Sequence, residues 1–290
     1  MGDLIIALVS GLCLGGTYAL LSMGIVLVFR GTGIFNLCHG ELLLLAAYLV
    51  ATIAGHHVSL GLAALIGVAT LAAVSMIIYR LGLYRTTGQP SFIGLIATLG
   101  IATVLDNVMN LAWGSGQYEI SAGWLPSGSV HMAGAGVSEL DISVAVIALV
   151  LCGLVVLWLQ FTSIGIRMRA AGSNALLASQ SGINVRRYYL GVWAVAGGLA
   201  AAAGVLYGST VLITPSLSGL GLLALPAVML GGLDSVVGAM VGGVLIGILQ
   251  ACVTTYWNGT VLDVVTYGVL LLILLIRPEG ILGSREAVRV

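Results

Sequence analysis

Long apolar runs dominate this chain, and they restrict its fold more than any other feature. Sixty per cent of the 290 residues are hydrophobic and 7% are charged, whereas roughly 25% are charged in ordinary soluble domains. So few charged side chains cannot cover that much apolar surface in water, and the main solvent must therefore be lipid. The runs cover 4–29, 41–54, 60–79, 91–113, 141–161, 188–207, 236–256 and 262–276.

Helices rather than strands are expected in the membrane. A transmembrane barrel would show segments of about ten residues that alternate polar and apolar side chains, and this chain lacks them. Glycine is abundant at 42 residues, and spacings such as Gly11/Gly15 and Gly204/Gly208 allow helix backbones to approach closely. We therefore predict an all-α fold, a polytopic transmembrane helical bundle that forms a single domain over 1–290.

The part of the chain near 214–233 does not fit a simple span. The apolar stretch 219–230 would extend about 18 Å as a helix, against a hydrocarbon core of roughly 30 Å. Pro226 also removes an internal helical hydrogen bond. We predict about 8–9 spans, with a broken or re-entrant helix in this region.

The arginines predict the orientation. Nine of the ten lie in 80–90, 162–187 and 277–290, and short loops rich in arginine face the cytoplasm. The N-terminus is then outside and the C-terminus cytoplasmic, which requires an odd number of crossings. We expect a bacterial cytoplasmic (inner) membrane, multi-pass.

The segment 162–187, here called the basic segment, is unusual for so apolar a chain. It holds four arginines and no acidic residue. Its middle, 170–181, is predicted to form one short helix lying flat on the membrane face, suited to a groove on a soluble partner. The chain has no lysine, and a P-loop needs one, so energy for driven work would come from a separate subunit or an ion gradient.

A second polar interruption, GTGIFNLCHG, covers 31–40 and is followed by Glu41. An ionised group inside the membrane is costly. Asn36, His39, Gly40 and Glu41 are candidates for a transport path or its gate. The alternative is that they start the next helix, with the Glu41 carboxylate at its positive end.

The run 91–113 carries Asp106, and the helical period places Thr103, Asn107 and Asn110 on one face. These side chains predict either a polar seam between helices or part of a path. Gln250 is expected to form hydrogen bonds between helices. The motifs H-E-x-x-H and G-x-S-x-G are absent, as is a Cys/His cluster with metal spacing, so we expect neither an enzyme nor a metal site.

Three stretches, in order along the chain, give a family resemblance. They are FNLCHGELLLLAAYL, RAAGSNALLASQSGINVRRYYLGVWAVAGGLAAAAGVLYG, and GLGLLALPAVMLGGLDSVVGAMVGG followed by RPEGILG. They resemble the early Asn-x-Ala-His-Gly-Glu element, the cytoplasmic coupling loop and the C-terminal signature of permease subunits of ABC importers for branched-chain amino acids (hydrophobic amino acid uptake). Cys38 stands where relatives usually have alanine.

The resemblance implies an ATP-driven importer. Its partners would be a second homologous permease subunit, two ABC ATPase subunits that hold ATP and Mg, an extracytoplasmic substrate-binding protein and the lipid bilayer. This chain would bind no cofactor and no nucleic acid. The implied coupling residues in the basic segment are Arg167, Arg169, Gly172, Asn174, Ser179 and Gly182.

Some departures and alternatives stay open. Family coupling loops commonly have acidic residues where this chain has Asn174 and Leu176, and many relatives carry a lysine near Leu222. The alternatives are a ribose-type sugar ABC permease, or a gradient-driven secondary transporter or channel. The substrate (branched-chain amino acid, amide, urea or aromatic acid) and whether the permease pair is a hetero- or homodimer are not determined.

Overall fold

The structure is a computed structural model, and it describes residues 2–120, 125–126, 128–132, 135–257, 259–277 and 279–283. Within these residues the chain is overwhelmingly helical, which confirms the predicted all-α bundle. The helices are α1 (Gly2–Thr32), α2 (His39–Gly55), α3 (Leu60–Ile78), α4 (Ser91–Trp113), α5 (Glu139–Phe161), α6 (Ser163–Ser173), α7 (Ala175–Gln180), α8 (Val185–Gly208), α9 (Leu220–Leu223), α10 (Leu225–Gly231), α11 (Val236–Tyr256) and α12 (Leu262–Ile276).

Helix α1 runs through the centre of the bundle. Every residue from Gly15 to Val28 is buried, and α5, α8 and α11 pack around it. A helix that is apolar on all sides is stable only when protein or lipid surrounds it. Its neighbours therefore form a ring whose outer faces are left for lipid or partner chains.

Glycines set the closest helix contact. A Cβ on Gly11 would lie 2.8 Å from the Ile248 Cα, and one on Gly15 would lie 2.9 Å from the Val244 Cα. The backbones of α1 and α11 thus touch, as the small-residue spacing predicted. Gln250 of α11 accepts from the Tyr18 hydroxyl at 2.8 Å and donates to the Thr266 hydroxyl at 3.0 Å, so it links α1, α11 and α12 as expected.

The region 214–233 is a broken helix. It consists of a 3-10 turn at Pro215–Gly219 followed by α9 and α10. Seven helices are long and apolar enough to cross a membrane, and His39–Gly55 and Pro215–Gly231 are shorter apolar ones.

The end of the broken helix lies beside the end of α1. Asp234 and Ser235, which precede α11, line the same cavity as Arg30 at the end of α1. Leu282 also lies there, and its N–H donates to the Gly231 carbonyl at 3.3 Å. The start of α1 and the described C-terminal residues therefore lie at opposite ends of the bundle.

The connection between α4 and α5 contains strands that the sequence did not predict. β1 (Ser129–Met132) and β2 (Ala135–Ser138) form an antiparallel hairpin, and Tyr118 bridges to Ile213 beyond α8. Strands of four residues with small and polar side chains show no clear alternation. The sequence therefore indicated only a polar loop here.

Candidate functional site

The basic segment folds into two short helices, α6 and α7, and the single helix predicted over 170–181 is wrong. The side chain of Asn174 accepts a hydrogen bond from the Leu177 N–H at 3.0 Å and begins α7 in extended backbone. Asparagine is a preferred N-cap residue, because its side chain satisfies an N–H left free at the helix start. Asn174 therefore ends one helix and starts the next.

The turn after α7 is built in a similar way. Gly182 has φ +80, a left-handed conformation that glycine adopts without strain and that commonly follows a helix end. Asn184 then caps α8 by accepting from the Arg187 N–H at 3.2 Å. The segment thus has fixed corners at both ends of α7.

One side of the two short helices is exposed and the other is anchored. Met168, Ala171 and Ala178 are buried against the bundle. Leu176 and Leu177 are 68% and 59% exposed, and Asn174 and Ser179 are exposed beside them. Exposed apolar side chains on a short surface helix form a suitable anchor for the groove of a partner protein.

The two arginines of α6 have different surroundings. Arg169 turns inward and donates to the carbonyls of Leu159 and Gln160. These carbonyls belong to the last turn of α5, where the helix dipole is negative and free acceptors remain. Arg167 is exposed and contacts the Tyr188 hydroxyl at 3.3 Å.

Gly172 joins the basic segment to the central helix. A Cβ at this position would lie 2.5 Å from the Arg30 carbonyl oxygen and 3.5 Å from the Gly31 Cα. The backbone of α6 therefore rests on the last turn of α1 with no room for a side chain. Movement of α6 would act directly on α1.

A cavity of about 360 Å³ lies beside this contact, between the end of α1, the end of α5, α6 and the start of α11. Its charged lining residues are Arg30, Arg169 and Asp234. The space gives α6 room to move relative to α11. Among the described residues, no group of His, Cys, Asp and Glu could hold a metal ion.

The other predicted site, 36–41, is enclosed within the chain. Asn36 and His39 are 0% and 1% exposed. The Asn36 side-chain oxygen accepts from the Cys38 N–H at 3.1 Å, and its amide nitrogen lies 3.4 Å from the His39 Nδ1. The His39 ring packs on Gly24 of α1, and its Nε2 has no hydrogen-bond partner among the described residues.

Gly40 brings the two interrupted helices together. A Cβ on Gly40 would collide with the Ser218 carbonyl oxygen and would lie 3.1 Å from the Gly221 Cα. The start of α2 and the break before α9 therefore meet in the interior of the bundle. Discontinuous helices that meet at mid-depth commonly form solute sites in transporters. Glu41 lies next to this junction, and its Oε2 is buried without a hydrogen-bond partner.

The polar residues of α4 lie elsewhere. Thr103, Asn107 and Asn110 share a face, as the sequence predicted, but that face is exposed on the outside of the chain. They form no seam between helices of this chain. The outward direction of this face could not be recognised from spacing alone.

A polytopic bundle with a broken helix is an architecture found among membrane transporters. The comparisons with known proteins are more specific. The family model described as the permease component of the branched-chain amino acid transport system matches residues 7–275. The chain belongs to this family of ABC transporter permeases.

Curated relatives match over nearly the full length. The high-affinity branched-chain amino acid transport permease LivH of Escherichia coli is 28% identical, over 97% of this chain and 96% of that protein. BraD of Pseudomonas aeruginosa, with the same description, is 30% identical over 98% and 97%. The autoinducer 2 import permease LsrC of Salmonella paratyphi B is a more distant match, 27% identical over 61% and 53%.

The fold is also found in a solved structure. PsaBC from Streptococcus pneumoniae, determined in complex with a Fab, superposes with a TM-score of 0.51 over 96% of this chain and 93% of that chain. The sequences are 14% identical. This likeness concerns the arrangement of the helices.

Proposed function

We propose that this chain is the transmembrane subunit of an ATP-driven importer that moves branched-chain amino acids or closely related small polar solutes into a bacterial cell. The match of the family model to residues 7–275 carries this proposal. The substrate named for LivH and BraD supports the choice of cargo.

The proposed assembly has five further parts: a second homologous permease, two ATPase subunits that hold ATP and Mg, a substrate-binding protein outside the membrane, and the bilayer. Its orientation places the N-terminus outside and the basic segment and C-terminus in the cytoplasm. The arginines at 80–90, 162–187 and 277–290 support this orientation. The absence of lysine supports a separate ATPase.

In this proposal the basic segment transmits the movement of the ATPases. Arg167, Asn174, Ser179 and Gly182, with Leu176 and Leu177, form the docking surface, because these residues are exposed. Arg169 and Gly172 anchor the segment on α5 and α1. A push on α7 thereby reaches the central helix, which is a two-state element that both partners can bias.

The junction at Asn36, His39, Gly40 and Glu41 is proposed as a gate. Its contact with Ser218 and Gly221 supports a closed position in the present conformation. Separation of α2 from the broken helix would open a space between two helix ends at mid-depth.

The function is tested by purifying the tagged chain together with the proteins encoded beside it. We expect two ATPase chains and a second permease to copurify, and ATP hydrolysis in proteoliposomes to rise when the loaded binding protein is added. Stable transport by this chain alone, driven by an ion gradient without ATP, would contradict the proposal.

A further inference from the structure

One side of α4 presents polar side chains to the outside of the chain. The helix packs on the bundle through Thr98, Ala102 and Met109, which are buried. At 100° per residue, Asn107 points about 180° away from Thr98. Thr103 and Asn110 are also exposed, and Asp106 is partly exposed beside them. We call Thr103, Asp106, Asn107 and Asn110 the polar patch.

Hydrogen bonds within α4 use some of the donors of the patch. The Thr103 hydroxyl donates to the Leu99 carbonyl at 3.1 Å, and the Asn107 amide donates to the Thr103 carbonyl at 2.7 Å. The Asn110 amide donates to the Asp106 carboxylate at 3.5 Å. The groups left for an outside partner are two amide oxygens, one N–H of each amide and a carboxylate oxygen, so the charged group among them is an acceptor.

The neighbouring side of α2 adds further polar atoms that lack partners. Helix α2 packs against α4, with the Tyr48 ring stacked on Trp113 at 5.3 Å between ring centroids. Tyr48 is 1% exposed, and its hydroxyl and the Glu41 Oε2 have no hydrogen-bond partner among the described residues. Helices α2 and α4 together carry two carboxylates, Glu41 and Asp106, and no arginine.

Lipid is an unfavourable neighbour for this patch. Ionisable side chains within membrane helices are costly, and they almost always face the bundle interior or a water-filled cavity. Val104, Val108 and Leu111 lie on the other part of the exposed face, and their mean direction is rotated by about 115° from that of the patch. Helix α4 thus has one side suited to lipid and another that needs water or polar partners.

We propose that the polar patch lines the solute path, which the second permease subunit closes on its far side, and that its acceptors bind the ammonium group of the passing amino acid. Water and an ammonium group both supply donors to the Asp106 carboxylate, and the ammonium group also supplies the opposite charge. Asn107 lies about 9 Å from the end of α4 at Trp113, within the depth of the bilayer. This inference rests on the proposed function, which supplies the second subunit and the substrate class.

Thiol labelling of the assembled transporter tests the proposal. Cys13, Cys38, Cys152 and Cys252 are replaced by alanine, and single cysteines are introduced as Asn107→Cys or, as a control on the lipid side, Val108→Cys. A membrane-impermeant cationic methanethiosulfonate is added to proteoliposomes. Because the reagent needs a hydrated thiolate, Asn107→Cys should react at least about tenfold faster than Val108→Cys.

Two further readouts define the patch. The cationic reagent should react faster at Asn107→Cys than an anionic reagent of the same size, and saturating loaded binding protein with ATP should slow the reaction. Equal rates at the two positions, or no reaction at Asn107→Cys, would overturn the proposal.

If the cysteine-free complex does not assemble, Asp106→Asn in the native sequence serves instead, and uptake should fall about fivefold through loss of a charged hydrogen bond. Unchanged uptake by Asp106→Asn would contradict the proposal that the patch binds the ammonium group.

A measurement of ATP hydrolysis distinguishes failure of this inference from failure of the proposed function. ATP hydrolysis stimulated by the loaded binding protein is measured on the same preparation. Stimulated hydrolysis without labelling at Asn107→Cys rejects the path and leaves the importer intact. Labelling without any ATPase in the complex rejects the importer and, with it, the amino-acid cargo assigned to the patch.

Discussion

The Arg30 carbonyl at the end of α1 lies against Gly172 of α6, 2.5 Å from the position that a Cβ would take. This contact joins the surface helices of the basic segment to the central helix of the bundle. It needs glycine, because any side chain would separate the two backbones.

Replacing Gly172 with alanine is expected to weaken the link between the ATPases and the bundle. The methyl group would push α6 away from α1, and ATP hydrolysis stimulated by the loaded binding protein should fall about fivefold, a typical coupling free energy. The matched control is Gly191→Ala on α8, where a Cβ meets nothing within 4 Å. Both changes add helix propensity of up to about 1 kcal/mol, so the control should retain full stimulation. Equal effects at the two positions would show that the Gly172 contact carries no signal.

Substitution of Arg169 should lower the stability of the permease, whereas substitution of Arg167 should weaken its binding to the ATPase. Arg169→Ala removes the donors on the last carbonyls of α5, and loss of such a contact at a helix C-terminus costs about 0.3–1 kcal/mol, more when partly buried. The thermal unfolding temperature of the purified permease should therefore fall. Arg167→Ala, at an exposed position, should leave that temperature unchanged and lower the fraction of ATPase that copurifies. The reverse pattern would contradict the assignment of anchor and docking surface.

Two substitutions at Asn174 test whether its side chain stabilises α7 by capping the helix. Asn174→Ala removes the N-cap of α7 and should destabilise the segment by about 1 kcal/mol, whereas aspartate caps as well as asparagine. Amide hydrogen exchange in 175–180 should accelerate in Asn174→Ala and stay near the native rate in Asn174→Asp. Equal acceleration in both variants would mean that the cap contributes nothing.

Gly40 provides a test of the junction between the interrupted helices. Gly40→Ala places a methyl group against the Ser218 carbonyl and Gly221, which should hold α2 away from the broken helix. We expect uptake to fall at least about tenfold, because overpacking of such a contact costs about 1–3 kcal/mol. Gly55→Ala, at the end of the same helix with nothing within 4 Å, is the control. Normal uptake by Gly40→Ala would remove the junction from the candidate gates.

The sequence by itself determined the secondary structure of the spans. The predicted runs 91–113, 236–256 and 262–276 coincide with α4, α11 and α12, because backbone groups in lipid must bond within their own helix and apolar length then defines each span. Pro226 and the short run before it likewise indicated the broken helix. The sequence predicted a short helix in the basic segment, but the division at Asn174 was missed, since a cap in the middle of a short polar stretch has no periodic signal.

Only the tertiary structure decided which faces meet. In a span that is apolar on nearly every side, hydrophobic periodicity does not distinguish a face buried in protein from one in lipid. The spacing of Thr103, Asn107 and Asn110 gave a shared face, yet its outward direction followed from the packing of Thr98 and Met109. The contacts of Gly172 with α1 and of Gly40 with the broken helix join residues far apart in sequence, so they became visible only once the helices were assembled.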